Sequence, residues 1–342
     1  MDHPEALELD ERKAAILRAV VEEYVETAQP VGSQTIARSS DLAVSSATVR
    51  NEMTILERDG YLVQPHTSAG RVPTDRGYRY FVDHFSHPGA LPAGQRRAVS
   101  QFFASAHQAL EDLLTETSQL LARVSHHAAL IMGPELDAAR VRSVQLVPLQ
   151  PGVALLVVVL STGAVRREVV QLAVEADEEH VAAAGAVLDT QLRDHEWSGL
   201  PDAPRTGDTS VDTIVHLTHD ALERAATADH DEPLYVGGAS RLAAEQEAFT
   251  TAERTARLLE VLEHQVIVVS LVRELLDRGL TVSIGSENRL DELRDCAIVL
   301  APFEVDQRPA GIVGVLGPTR MDYRHALAAV SAVSHQLGRH LS

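Results

Sequence analysis

Ile16, Leu17, Val20, Val21, Tyr24 and Val25 recur along the chain so that they fall on one stripe of a helix. Asp10 stands at the N-cap of that helix, and the pattern fades near Thr27, ahead of Gln29-Pro30-Val31-Gly32. Ser33 caps a second, short helix through Ile36 and Ala37. Asp41-Leu42-Ala43-Val44 then leads tightly into a third, capped by Ser45 and running to about Arg58. With about 100° per residue, Val49, Met53 and Leu56 share the inner side of this third helix. Ala47, Arg50, Asn51, Thr54 and Arg58 turn outward. Gly60 ends the helix, Tyr61-Leu62-Val63 reads as a strand, His66–Gly70 as a small-residue turn, and Arg71-Val72 as the returning strand. Three short helices and a two-stranded ribbon with Arg71 at its tip predict a winged helix-turn-helix.

Further along, Leu91-Pro92-Ala93-Gly94 reads as a linker, and a long helical pattern runs from Gln95 to Leu130. Strands are predicted at Arg142–Pro148, Ala154–Ser161 and Val165–Leu172, the middle one apolar on both faces and so central in a sheet. Helical stretches follow at Glu178–Arg193 and Asp212–Ala228, then a strand at Leu234–Gly237 and a long helix from Thr251 to Arg278. Strands at Thr281–Ile284, Ala297–Leu300 and Ile312–Leu316, and a helix from Tyr323 to Leu341, complete an α+β unit.

The outward face of the third helix carries the candidate chemistry. Small residues let a helix sink into the major groove, Arg50 can bond guanine O6 and N7, and Asn51 can bond adenine N6 and N7. Helix N-termini favour phosphate. The candidate DNA-contacting set is therefore Ser33, Ser45, Ser46, Ala47, Thr48, Arg50, Asn51 and Thr54 on the helices. His66, Thr67, Ser68, Gly70 and Arg71 join it from the wing, with Arg71 reaching a minor groove or a phosphate. A net charge of −19 opposes DNA binding at first sight. Its distribution does not: Ser45–Arg79 carries five arginines against four acids, a net +1, which leaves −20 on the remainder. An acidic body with one arginine-bearing module suits a protein that docks that module alone.

Other chemistries find little support. Cys296 is the single cysteine, which excludes an intrachain disulfide and fits a reducing cytoplasm. The acidic N-terminus lacks a signal-peptide pattern, and the longest apolar run, Val153–Leu160, is too short to span a bilayer. Gly237-Gly238 and Gly317-Pro318-Thr319-Arg320 lack the ending of a phosphate loop and read as turns. His126-His127 and His216/His219 lack acidic or cysteine partners at ligand spacing and read as surface histidines. No acid–base pair stands out, so neither an enzyme nor a cofactor is expected.

Several stretches resemble the HrcA heat-inducible transcription repressors. They are Pro30–Ser33, Val44–Met53, Leu56-Glu57, Gly60–Leu62, Gln64–Thr74, Gly77–Arg79 and, near the other end, Gly314–Tyr323. The stretch 180–245 matches only in general layout, and Glu304–Pro309 departs from the pattern. The resemblance implies a dimer that binds an inverted-repeat operator, the CIRCE element, upstream of chaperone genes. It also implies the chaperonin GroEL as modulator of activity, and a cytoplasmic protein, nucleoid-associated when DNA-bound. The implied fold is a winged helix over residues 1–88 and a GAF-like α+β domain in two parts, 95–177 and 246–342. A helical dimerising insertion over 178–245 interrupts that domain. Dimerisation falls to the insertion or to the long helices, since nothing near the winged helix resembles a zipper. The competing reading is a winged-helix regulator controlled by a small molecule held in the GAF-like domain.

Overall fold

The computed structural model describes residues 9–39, 44–67, 69–87, 89–106, 109–133, 139–172, 176–228, 234–244, 252–278 and 281–342. Helix α1 (Glu11–Thr27) starts where the Asp10 carboxylate accepts a hydrogen bond from the Lys13 N–H at 2.9 Å. It buries Ile16, Leu17, Val20 and Val21 against α2 (Ser33–Ser39) and α3 (Ser46–Arg58), which contributes Val49, Met53 and Leu56. Each such side chain is worth about 1.5–3 kcal/mol of burial, enough to hold three short helices that would not persist alone. Strands β1 (Leu62–Val63) and β2 (Val72–Pro73) pair antiparallel, and α4 (Asp75–Phe85), capped by Thr74, closes the unit.

The expected helix over 95–130 is three elements: α5 (Ala93–Ser105), α6 (Leu110–Ser125) and the strand β3 (Ala128–Met132). His126 ends α6 in a left-handed conformation with φ 66°, which breaks the helical path ahead of β3. The expected linker is also shorter, because α5 begins at Ala93 and Leu91 is buried.

Strands β4 (Val141–Gln150), β5 (Val153–Leu160) and β6 (Val165–Gln171) form their own three-stranded antiparallel sheet with β5 in the middle. Helices α7 (Glu178–Leu192) and α8 (Thr209–Ala228) pack on β4 and β6 and on each other. One face of the sheet is thus covered, burying Val144, Leu146, Leu156, Val158 and Val170. Next comes β7 (Leu234–Gly237), which pairs with β3. Placing the insertion at 178–245 therefore divides this sheet from its own helices. The segment lying between the paired strands β3 and β7 begins before β4, and it is a sheet-and-helix unit, not a purely helical one.

After β7 come α9 (Ala239–Ala244), α10 (Ala252–Glu263), α11 (Gln265–Asp277), β8 (Val282–Ile284), β9 (Cys296–Val305), β10 (Arg308–Pro318) and α12 (Tyr323–Leu341). The helix expected over Thr251–Arg278 is interrupted at His264 between α10 and α11. The five-stranded antiparallel sheet runs β7-β3-β10-β9-β8. Alternation along its strands sends Ala128, Leu130, Met132, Ile298 and Leu300 to one core with Leu262, Leu271 and Leu275. Ala129, Ile131, Val299 and Val313 face the opposite core with Leu121, Val330 and Val333. Glu304–Pro309, which departs from the family pattern, holds a tight hairpin turn with Asp306 and Gln307 at φ 51° and 64°. No helix among the described residues is long and apolar enough to cross a membrane.

Candidate nucleic-acid interface

Helix α3 begins with the Ser45 hydroxyl accepting from the Thr48 N–H at 3.2 Å, and the two hydroxyls lie 3.0 Å apart. With Val49, Met53 and Leu56 held inward, Ala47, Arg50, Asn51 and Thr54 are exposed on the opposite side. Ser46 and Thr48 are half-buried beside them. Thr54 donates to the Arg50 carbonyl at 3.0 Å, which leaves it a weak external donor. Among the described residues, the Arg50 and Asn51 side chains have neither a hydrogen bond nor an ion pair. A guanidinium and a carboxamide on adjacent positions of an exposed, capped helix are the donor–acceptor groups that base edges require. Ser33 is the first residue of α2 and is 9% exposed; the Gly32 carbonyl, which accepts from Thr35 and Ile36, takes the cap position expected of Ser33.

The wing is built differently from the expected ribbon. Arg71 lies at its base, where its N–H and carbonyl exchange 2.9 Å hydrogen bonds with Val31. Its guanidinium donates to Glu57 at 2.8 Å, so α3 and the wing are tied together. The turn beyond it carries His66 and Thr67, both exposed; Ser68 lies outside the described residues. The Gln64 amide donates to the carbonyls of Thr67 at 3.1 Å and Ala69 at 2.9 Å, clamping the turn from inside. Gly70 is obligatory, since a Cβ there would fall 2.3 Å from the Val31 carbonyl oxygen.

Residues of this chain from 111 to 327 match the family model described as the HrcA protein C-terminal domain. The heat-inducible transcription repressor HrcA of Nocardia farcinica is 36% identical over 99% of both chains. That of Kineococcus radiotolerans is 38% identical over 97% of this chain and 99% of its own. The chain belongs to the HrcA family. A crystal structure described as a hypothetical protein covers 97% of each chain at 23% identity and a TM-score of 0.64, which shows that the fold is shared.

In this HrcA-family chain the five arginines of Ser45–Arg79 do not form one patch. Arg58 is exposed and pairs with Asp59 at 3.1 Å, and Arg71 is held by Glu57. Arg76 lies 4.5 Å over the Tyr61 ring and donates to the Asp59 carbonyl, while Arg79 leaves the winged helix altogether to bind Glu287. Among the described residues, only Arg50 of the five has no partner. Gln64 and Glu57 were not among the expected site residues, because nothing in their spacing marks a wing clamp or a tie between α3 and the wing.

Two histidines expected at the surface are enclosed instead. His219 is buried, with its Nε2 2.6 Å from the Pro201 carbonyl, and Asp220 and Glu223 do bring carboxylates within 4.8 Å of it. His127 is also largely enclosed, and burial, reinforced by His126 and His325, lowers its pKa to about 4. Cys296 begins β9 fully buried, and burial pushes its thiol up to about 12.

Proposed function

We propose that this chain represses transcription as a two-fold dimer on an inverted-repeat operator of the CIRCE type, each α3 reading one half-site. The carrying observation is the unpaired Arg50 beside Asn51 on the outward face of a helix whose inner face is buried. Ser45, Ser46, Ala47, Thr48 and Thr54 line the groove approach, and Ser33 flanks it. His66, Thr67, Ser68 and Gly70 carry the backbone contacts of the wing, with Arg71 holding it in place. A fluorescence-anisotropy titration tests this on the inverted repeat against a scrambled duplex. Arg50→Ala costs about 1–3 kcal/mol on the repeat and relaxes discrimination at one base pair. Equal affinity of the unaltered chain for repeat and scramble sinks the reading.

An inverted repeat needs a two-fold protein. The open face of the β4–β6 sheet supports dimerisation there: Val147, Leu155 and Val169 lie directly across its three strands, flanked by Leu149. Val147, Leu149 and Val169 are 41%, 56% and 60% exposed, an apolar row that monomers seldom leave uncovered. The five-stranded antiparallel sheet with cores on both faces supports the GAF-like assignment of the other unit. Family membership supports control by heat through the chaperonin GroEL, acting on a cytoplasmic repressor that joins the nucleoid when bound. Restored operator binding on adding GroEL to heat-treated chain is the expected result; no change removes the chaperonin from the scheme.

A further inference from the structure

Helix α4 belongs to the winged helix, yet its outer face is bound to the rest of the molecule. Asp75 accepts from both the N–H and the hydroxyl of Ser286, each at 2.9 Å. One turn later Arg79 forks onto Glu287: Nε donates to Oε1 at 2.8 Å and Nη2 to Oε2, and Nη2 also reaches the Val282 carbonyl at 2.8 Å. Its remaining arm takes Asp83 at 3.2 Å. The receiving element is the 3-10 turn Gly285–Asn288 at the end of β8, stiffened by the Glu287 carboxylate accepting from the Ile284 N–H at 2.9 Å. Gly285, at φ 55°, admits the Asp75 carboxylate so closely that a Cβ would lie 2.4 Å from it.

The contact continues along α4. Tyr78 and Tyr323 place their ring centres 5.9 Å apart, and Arg324 donates to the Phe85 carbonyl at 3.0 Å. Two of the stretches that carry the family resemblance, around Gly77–Arg79 and Gly314–Tyr323, therefore meet here. Tyr78 is buried, and α4 is joined to α3 through α1, on which both pack. A bidentate, three-quarters-buried arginine pair fixes orientation in a way a single exposed lysine pair does not.

We infer that Arg79 and Asp75, seated on Gly285–Asn288, are positioning residues that set how far apart and at what angle the two α3 helices of a dimer stand, and so select operator spacing. The inference rests on the two-fold repressor reading. Nothing in α3 itself measures spacing. The apolar row proposed for dimerisation lies on the β4–β6 sheet, a separate sheet from the one that carries the seat, so the seat is what converts a fixed dimer into a fixed pair of helices. Without it the winged helix keeps the Tyr78–Tyr323 contact and the Arg324 bonds to Phe85 and Glu22 but loses its fork, and this looser seating tolerates a range of half-site separations.

The test is operator binding by the full chain, by anisotropy, on CIRCE-type repeats whose spacer is changed one base pair at a time, with a single half-site as control. For the unaltered chain, affinity falls roughly tenfold or more on either side of one preferred spacing. Arg79→Ala flattens that profile to within about threefold and leaves single-half-site binding within about twofold. Arg79→Lys, which keeps the charge and loses the fork, falls between the two. Asp75→Ala removes the second anchor and produces the same flattening, which provides the readout if Arg79→Ala does not fold. A spacing profile unchanged in folded Arg79→Ala or Asp75→Ala overturns this inference alone. Failure of the unaltered chain to prefer any repeat over a scramble overturns the repressor reading and this inference with it.

Discussion

Arg50 and Arg71 sit on neighbouring elements with the same charge and opposite circumstances. Arg50 is exposed without a partner among the described residues, whereas Arg71 is engaged by Glu57 at 2.8 Å and by Val31 through its backbone. Arg50→Ala is therefore expected to weaken binding mainly to the cognate repeat. Arg71→Ala loosens the wing and weakens binding to cognate and scrambled duplexes alike; anisotropy on both duplexes separates the two outcomes. At Tyr78, the buried hydroxyl has no hydrogen-bond partner among the described residues, so Tyr78→Phe keeps the ring against Tyr323 and removes an uncompensated polar group. Thermal melting should show a midpoint unchanged or raised, and a clear loss would mean the hydroxyl is satisfied. Cys296, with its thiol pushed up to about 12 by burial, holds almost no thiolate near neutrality. A thiol reagent should label it only on unfolding; rapid labelling of the native chain would contradict that burial.

At the scale of elements, α1 and α3 lie within a residue of the expectation because caps and apolar stripes agree. Asp10 and Ser45 both cap as read, so Ser45→Ala should cost about 1 kcal/mol of winged-helix stability, measured by chemical denaturation. Strand β3 was illegible. Ala128–Met132 is buried at every position, and a short run of that kind has the same apolar content as a helix segment. The wing was legible as a ribbon but not in its register, since the pairing of Arg71 with Val31 joins residues far apart in sequence. Gly70→Ala should destabilise the wing more than any exposed wing substitution, because the clash is with a backbone carbonyl that cannot turn away.

For the whole molecule, stability and assembly respond to separate handles. His127 titrates near 6.5 when unfolded and near 4 in place, so the unfolded chain binds more protons between those values. Folding stability accordingly falls as pH drops from about 6.5 to about 4, by on the order of 3 kcal/mol from this group. His127→Gln should flatten that part of the pH–stability curve, and an unaltered slope would refute the assignment. The proposed assembly uses the open β4–β6 face. Val169→Glu should convert a dimer into a species of about 37.0 kDa by light scattering and reduce operator affinity. A dimer that survives the substitution would move the interface elsewhere.

Local signals alone determined the winged helix: caps, an apolar stripe and a glycine stop act within a few residues, so the outward placement of Arg50 and Asn51 follows from periodicity. The family resemblance followed from contiguous motifs for the same reason. Which arginines are free did not follow, because Glu57 and Glu287 reach Arg71 and Arg79 across the fold, and a charge count along the chain cannot register a pairing in space. That β3 joins β7 past an entire second sheet was likewise visible only in the sheet pairing. Hydrogen bonding between distant strands, and ion pairs between distant helices and turns, carry no local trace that a periodicity can show.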